Sequence, residues 1–277
     1  MSGPALADGF HWSEEPWGRA LRSRPLAQVA DHLFTSFPLR LRGGSAREEE
    51  EEWARVAATI GVPPDHLLRL HQVHGNAIVI AGRTDAGGTS VPAQDRTSGQ
   101  GGVRTWPEGD ILLTGDPSVA LAVQVADCVP LLVADPRSGA VAAAHAGWRG
   151  TAAGVAATTV AAMTRRFSAD PADLVVVAGP SIGPCCYTVG PDLVEAFTQA
   201  GFEVGVSRWF TTDEGQLRLD LWAATRDQLV AAGVRPGNVH LARLCTADHP
   251  AVFPSYRRDG KGTGRIAAVV RARRQET

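Results

Sequence analysis

The stretch from Val119 to Gly150 constrains the fold more than any other part of the chain. It reads as one long apolar strand interrupted at Asp127-Cys128, a turn over Asp135-Pro136-Arg137-Ser138-Gly139, and a returning strand that ends at His145. Asp-Pro and Ser-Gly pairs between two β-rich runs are turn signals. A hairpin closing around residue 137 sets His145 opposite about Val129, because antiparallel partners face one another across the ladder. Cys128 and His145 are then close together at one end of a buried sheet, beside a glycine-rich turn carrying Trp148 and Arg149. Either residue alone reads as an ordinary core cysteine or hydrogen-bonded histidine. The pair, with Asp127 and Arg149 alongside, reads as a functional site.

A chain of 277 residues can bury a sizeable core in one large domain or two small ones. Its formal charge of −2 argues against broad affinity for nucleic acid or anionic membranes. No apolar run approaches the ~20 residues needed to span a bilayer. The start, Met1-Ser2-Gly3-Pro4, lacks a charged-then-apolar signal pattern. Four cysteines, two of them adjacent at Cys185 and Cys186, do not suggest a disulfide framework. A reduced, cytoplasmic protein is the simplest expectation.

Strands and helices alternate along the rest of the chain. Residues 1–28 show no clear period and are expected to form a loosely packed leader. A strand is expected over Ala30 to Phe37, and a helix from Glu48 to Ile60, with Trp53, Val56, Ala57 and Ile60 at helical spacing. The run of glutamates near its start is a solvated face where negative charge is favourable. Gly61-Val62-Pro63-Pro64 stops it. In the following His71-Gln72-Val73-His74-Gly75, the histidines are three apart, so in a strand only one could face a given site. Gly75 permits a sharp turn, which favours His74. Residues 82–108 read as a long surface excursion. One helix is expected over Gly147 to Phe167, its start and Arg149 forming an anion site. Further helices are expected over Pro191 to Ala200 and Leu219 to Ala232, with strands at Leu174–Ala178, Val239–Leu244 and Ile266–Val270. The basic, glycine-rich segment from Phe253 to Arg265 suits either phosphate contacts, through Arg257 and Arg258, or a solvated turn. The tight hairpin rules out a purely parallel doubly wound sheet and favours mixed α/β architecture.

Several stretches are distinctive in combination: His71-Gln72-Val73-His74-Gly75, Val125-Ala126-Asp127-Cys128-Val129-Pro130, Ala144-His145-Ala146-Gly147-Trp148-Arg149-Gly150, Gly179-Pro180-Ser181-Ile182-Gly183, Cys245-Thr246 and Ser255-Tyr256-Arg257-Arg258-Asp259. In this order they resemble the YfiH-like laccase-domain family, whose members carry the labels polyphenol oxidoreductase and purine nucleoside phosphorylase. The resemblance covers about residues 30–271. It implies a mixed α+β, four-layer α-β-β-α sandwich with mixed sheets, forming one catalytic domain over 29–277. It also implies a metal held by His74, Cys128 and His145. Two imidazoles and a thiolate suit zinc and leave a fourth position open for a reactant. The activity implied is zinc-dependent phosphorolysis of purine nucleosides (adenosine, inosine, guanosine, methylthioadenosine), with some adenosine deamination. The partners are then a nucleoside and phosphate. Arg149 is the first choice for a phosphate or ribose clamp, and Arg257 and Arg258 the second. Asp127, the nearest carboxylate, either shuttles protons or orients the turn. Departures from the family pattern fall at Ser36, where an arginine expected nearby is missing and Arg40 or Arg42 could replace it, and at Thr188, where a glutamate is common.

Three other accounts compete. A copper-dependent polyphenol oxidoreductase is one, but multicopper sites need many histidines, and this chain has eight scattered ones. A metal-free cysteine hydrolase would use Cys128 as nucleophile and His145 as base. A binding module would recognise nucleosides without turning them over.

Overall fold

The computed structural model describes residues 4–82, 90–91 and 106–273. Two large sheets form its centre. The first contains, in spatial order, β1 (Phe10–Glu15), β2 (Gly18–Ser23), β3 (Ala30–Thr35), β15 (Ile266–Ala272), β8 (Ala120–Val125) and β4 (Leu67–Leu68). It is antiparallel except where β4 joins β8. The second runs β14 (Val239–Leu241), β11 (Val175–Ala178), β9 (Val129–Ala134), β10 (Val141–Ala146), β7 (Ile111–Thr114), β5 (Ile78–Ala81) and β6 (Ser90–Val91). Parallel pairing at β11–β14, β5–β7 and β5–β6 makes this sheet mixed too. A small hairpin, β12 (Phe210–Asp213) with β13 (Gln216–Leu219), stands apart.

Three hydrophobic cores give the layering. Leu121, Val123 and Val125 of β8 meet Leu132 of β9 and Val177 of β11 between the sheets. The alternate residues Ala120 and Ala122 face outward, under Trp53, Val56, Ala57 and Ile60 of α2 (Ala46–Ile60). On the far side, Leu131 and Val133 of β9 pack with α4 (Val155–Phe167), α5 (Pro191–Gln199), α6 (Glu203–Trp209) and α7 (Leu221–Ala231). The result is helix, sheet, sheet, helix. It explains why these strands are apolar at nearly every position: both faces are covered, so the in-out alternation of a half-solvated strand is absent. Among the described residues, no helix is long and apolar enough to cross a membrane.

Several expectations are corrected. The interruption at Asp127-Cys128 is a change of sheet: β8 and β9 belong to different sheets, and the chain crosses between them there. The hairpin of β9 and β10 pairs His145 with Pro130 and Ala146 with Val129, one residue from the expected register. Within the expected leader, residues 4–28 are not loose. They form β1, β2 and α1 (Arg24–Ala27), and Phe10, Trp17, Leu21 and Leu26 are buried. The helix expected over 147–167 is two, α3 (Trp148–Ala152) and α4, divided at Gly154 with φ +74°. The excursion over 82–108 lies mostly outside the described residues. The remaining helix, α8 (Tyr256–Asp259), falls within the basic segment.

Candidate metal centre

Four connections meet at one end of the second sheet. Cys128 immediately precedes β9, His145 is the penultimate residue of β10, and Asp110 immediately precedes β7. His74 comes from the loop between β4 and β5, which the side chain of Gln72 docks onto the end of β8. Gln72 Nε2 donates to the Gln124 carbonyl at 2.8 Å, and the Gln124 N–H donates to Gln72 Oε1 at 2.7 Å. His74 itself adopts the left-handed conformation (φ 62°) that the sequence suggests for Gly75. His71 is exposed and bridges to Glu108, leaving His74 as the histidine that reaches the site.

His74, Cys128 and His145 bring one ligand atom each within 4.8 Å of one another. The cluster grades from exposed His74 through half-buried Cys128 to His145, which is only 3 % exposed. The two imidazoles meet edge to face, with ring centroids 4.8 Å apart. Behind them sits Asp110, fully buried. One of its oxygens lies 2.8 Å from His145 Nδ1 and accepts from the His74 N–H at 3.0 Å; the other accepts from the Gly75 N–H at 2.6 Å. The His145 N–H in turn donates to the Asp110 carbonyl at 2.8 Å. With Nδ1 so engaged, Nε2 is the nitrogen left to face Cys128 and His74.

Close packing completes the cradle. A Cβ on Gly147 would fall 2.8 Å from Cys128 Sγ and 3.3 Å from the His74 ring, and one on Gly150 would fall 2.9 Å from the Gly75 carbonyl. The glycines of the His-Ala-Gly-Trp-Arg-Gly segment are therefore needed for the approach of the ligands. Electrostatics point the same way. Burial acts to raise the Cys128 thiol, but the charge of His145 and hydrogen bonds from both histidines override it and lower its pKa to about 6. Burial likewise acts against the His145 imidazolium, yet Cys128 and Asp110 raise its pKa to about 9. Two imidazoles and a thiolate from three separate segments, with a carboxylate orienting one ring, fit a zinc-type ion with an open coordination position.

The surrounding expected residues divide. Asp127, at φ 87°, accepts from the Thr246 hydroxyl on one oxygen and the Arg257 N–H on the other, each at 2.6 Å, so its carboxylate braces the sheet crossing. Arg149 is exposed, its guanidinium lies over the Trp148 ring at 4.3 Å, and that guanidinium makes no hydrogen bond among the described residues. Its helix α3 has only 5 residues, which weakens the dipole argument for an anion site but leaves the guanidinium charge. Arg257 donates to the Thr188 carbonyl at 2.6 Å and lies over the Tyr187 ring at 5.0 Å. Arg258 is committed elsewhere. Its five N–H groups go to the carbonyls of Thr246, Ala247 and Phe253 and to both Asp259 oxygens, leaving no donor for phosphate. Arg40 lines an acidic depression with Glu48, Glu49 and Glu52, whereas Arg42 acts on the charge of Arg265, which also feels Cys128 and Asp127.

The sequence expectations do not include Asp110, Tyr187 or Arg265 as site residues. Burial and the Cys128 charge raise Tyr187 to about 12 against the pull of Arg257 and Arg149. The signal for Asp110 is a carboxylate directly before the apolar run Ile111-Leu112-Leu113; for Tyr187 and Arg265, spacing carries none.

Two mixed sheets between helix layers, with a His₂Cys cluster where one strand leaves the first sheet for the second, define a fold with a built metal-type centre. Residues 26–273 match the family model described as multi-copper polyphenol oxidoreductase laccase, and the chain belongs to this laccase-domain family. It is 37 % identical to purine nucleoside phosphorylase YlmD of Geobacillus stearothermophilus, over 88 % of this chain and 85 % of that one. It is 33 % identical to adenosine deaminase RL5 of an unknown prokaryotic organism, over 76 % of each chain. The crystal structure of the Geobacillus YlmD superposes with a TM-score of 0.81 at 33 % identity, covering 97 % of this chain and 100 % of that one.

Proposed function

We propose that this protein is a zinc-dependent purine nucleoside phosphorylase whose site also deaminates adenosine. The observation that carries the reading is the convergence of His74, Cys128 and His145 within 4.8 Å, in a chain whose relatives are named for these two activities. The donor set suits zinc, which when bound would supply Lewis-acid polarisation of a reactant. Adenosine, inosine, guanosine and methylthioadenosine are the proposed substrates, and the cytoplasm, where four free thiols stay reduced, is the proposed compartment.

In phosphorolysis a phosphate oxygen bonds to the anomeric carbon of the ribose while the carbon–nitrogen bond to the purine breaks. The bond electrons leave with the base, which takes up a proton. Arg149 is the guanidinium proposed to hold phosphate, with Arg257 beside Tyr187 as the second contact. The Tyr187 hydroxyl, raised to about 12, stays protonated at neutral pH and can donate to substrate. Asp127 positions Cys128 and Arg257 rather than transferring a proton. In deamination, water adds to the purine and ammonia leaves.

Two observations favour other readings. The family description names a multicopper oxidase, and a His₂Cys shell suits copper, although such sites usually add an axial methionine. The paired shifts of Cys128 and His145 also resemble an activated nucleophile and its base. One experiment separates all three. Purified protein is assayed for bound metal, then incubated with adenosine with and without phosphate. Adenine and ribose 1-phosphate formed only with phosphate establish phosphorolysis, and inosine establishes deamination. Copper with a thiolate absorption band would favour the oxidase, and metal-independent alkylation of Cys128 with loss of an esterase activity would favour the hydrolase. Cys128→Ala is expected to lose both metal and turnover; an active, metal-replete variant would refute the assignment.

A further inference from the structure

The three cysteines outside this centre also meet one another. The sulfurs of Cys185, Cys186 and Cys245 all lie within 4.8 Å of each other. Cys245 is buried, Cys186 half-buried and Cys185 exposed, so the cluster opens to solvent on one side. It draws on two segments of chain held together by backbone pairing. Ser181 and Cys245 form a β-bridge; the Ser181 N–H donates to the Leu244 carbonyl, and the Thr246 N–H to the Ser181 carbonyl, each at 3.1 Å. The Gly183 N–H donates to Cys245 Sγ at 3.3 Å, which fixes the sulfur against the turn. A turn closed by the Cys186 N–H on the Gly183 carbonyl at 3.0 Å then brings the vicinal pair over Cys245. Arg218 fixes the turn from outside by donating to the Cys185 carbonyl.

We propose that Cys185, Cys186 and Cys245 form a second metal site, selective for a soft, thiophilic ion: Cu(I) or Zn(II). An all-sulfur set with no imidazole is the donor chemistry that selects these ions over magnesium, calcium or manganese. Three sulfurs satisfy Cu(I) in a plane, whereas Zn(II) would take a fourth ligand from the open side at Cys185. A disulfide within the vicinal pair is a poor alternative. Adjacent Cα atoms are about 3.8 Å apart, shorter than the roughly 4.4 Å at which disulfides begin to be found. An ion needs only that the three sulfurs face one point. Bound there, it would clip the loop that carries Tyr187 to the segment whose Thr246 hydroxyl braces Asp127, beside Cys128. The site is separate from the His74–Cys128–His145 centre in ligands and in donor type, and does not depend on the reaction catalysed there.

The test is a metal titration of the full-length protein, stripped of metal and kept reduced, with Zn(II) against a chromophoric indicator and separately with Cu(I) against a competing chelator. Wild type is expected to take up two equivalents of at least one of these ions. Cys185→Ser is expected to lose one equivalent and keep the other, and Cys128→Ala to lose the equivalent that Cys185→Ser keeps. Cys186→Ser repeats the test should the first variant fold poorly. Cobalt substitution adds a spectroscopic reading: the thiolate-to-metal charge-transfer band of the wild type should fall by more in Cys185→Ser than one sulfur accounts for, as a whole site is lost. Uptake by wild type of a single equivalent that Cys185→Ser keeps, or full uptake by both serine variants, would overturn the proposal. So would mass analysis finding Cys245 joined to either neighbour as a disulfide in protein isolated anaerobically and not treated with reductant.

Discussion

Asp110 determines which nitrogen of His145 can face an ion, because its oxygen lies 2.8 Å from Nδ1 while the same carboxylate gathers the backbone N–H groups of His74 and Gly75. One side chain therefore orients two of the three ligands. Asp110→Asn keeps the shape but weakens this hold, and metal affinity is expected to fall about 10–100-fold. Competition with a chelator checks it; an unchanged affinity would leave Asp110 a purely structural residue. Without metal, the coupling of Cys128 and His145 has a second consequence. His145, raised from 6.5 to about 9, stabilises the fold fully below pH 6.5, and that contribution is lost as the pH rises through 9. Cys128, lowered from 9.0 to about 6, contributes fully above pH 9, and that contribution is lost as the pH falls through 6. The two slopes oppose one another, so the pair holds nearly the same number of protons folded and unfolded across this window. Cys128→Ser leaves only the partnership with Asp110. Relative to wild type, the stability of the metal-free variant is expected to decline as the pH climbs from 6.5 to 9, measured by denaturant midpoints. Parallel curves for the two proteins would refute the coupling.

At the scale of elements, the decisive piece is the crossing between β8 and β9. Asp127 takes a left-handed conformation there, and its carboxylate ties the crossing to Thr246 and to the first turn of α8. Asp127→Gly keeps the backbone geometry comfortable and removes only the carboxylate. It leaves two donors without their acceptor, and each hydrogen bond to a charged group is worth roughly 1.5–3 kcal/mol. A loss of about 3 kcal/mol in urea unfolding is expected, with weakened metal retention because Cys128 is the next residue. A loss within 0.5 kcal/mol, the range of ordinary surface changes, would show that the brace is idle. The sequence makes part of this visible. Val129 to His145 reads as a hairpin because its turn residues and apolar runs are local signals, and the register misses by one residue because the loop between Asp135 and Ala140 is even in length. That β8 and β9 lie in different sheets is not visible, since both runs are uniformly apolar and nothing local distinguishes a bulge from a crossing. The candidate ligands His74, Cys128 and His145, which the fold brings together, are legible through motif resemblance. Asp110 is not, because its place behind His145 depends on the pairing of β7 with β10. The division of the long helix at Gly154 is a case where apolar periodicity carries the reading straight through a left-handed glycine.

For the whole molecule, the site depends on how closely the two sheets approach. Cys128 belongs to the second sheet only because β8, in the first, delivers the chain to it, so a change in spacing between the sheets is felt at the ligand. Phe34 of β3, fully buried, fills the gap and presses on Gly179 just after β11. A Cβ on Gly179 would come within 2.2 Å of the Phe34 ring, against nothing within 4 Å for one on Gly201. A ring edge between two sheets cannot swing aside as a flexible side chain can, because interiors are packed at crystal-like density. Gly179→Ala is therefore expected to destabilise by about 1–3 kcal/mol through overpacking, seen as a Tm lowered by roughly 2–4 °C for each kcal/mol. Because the Gly179 N–H donates to the Pro130 carbonyl at 2.9 Å, two residues beyond Cys128, the strain should also reach the metal centre as weaker retention. Phe34→Leu alone is expected to destabilise by leaving space between the sheets, yet when added to Gly179→Ala it should restore part of what that change removes. Additive losses in the double variant would show that the two sheets part without strain at this point, and that the metal centre does not sense their spacing.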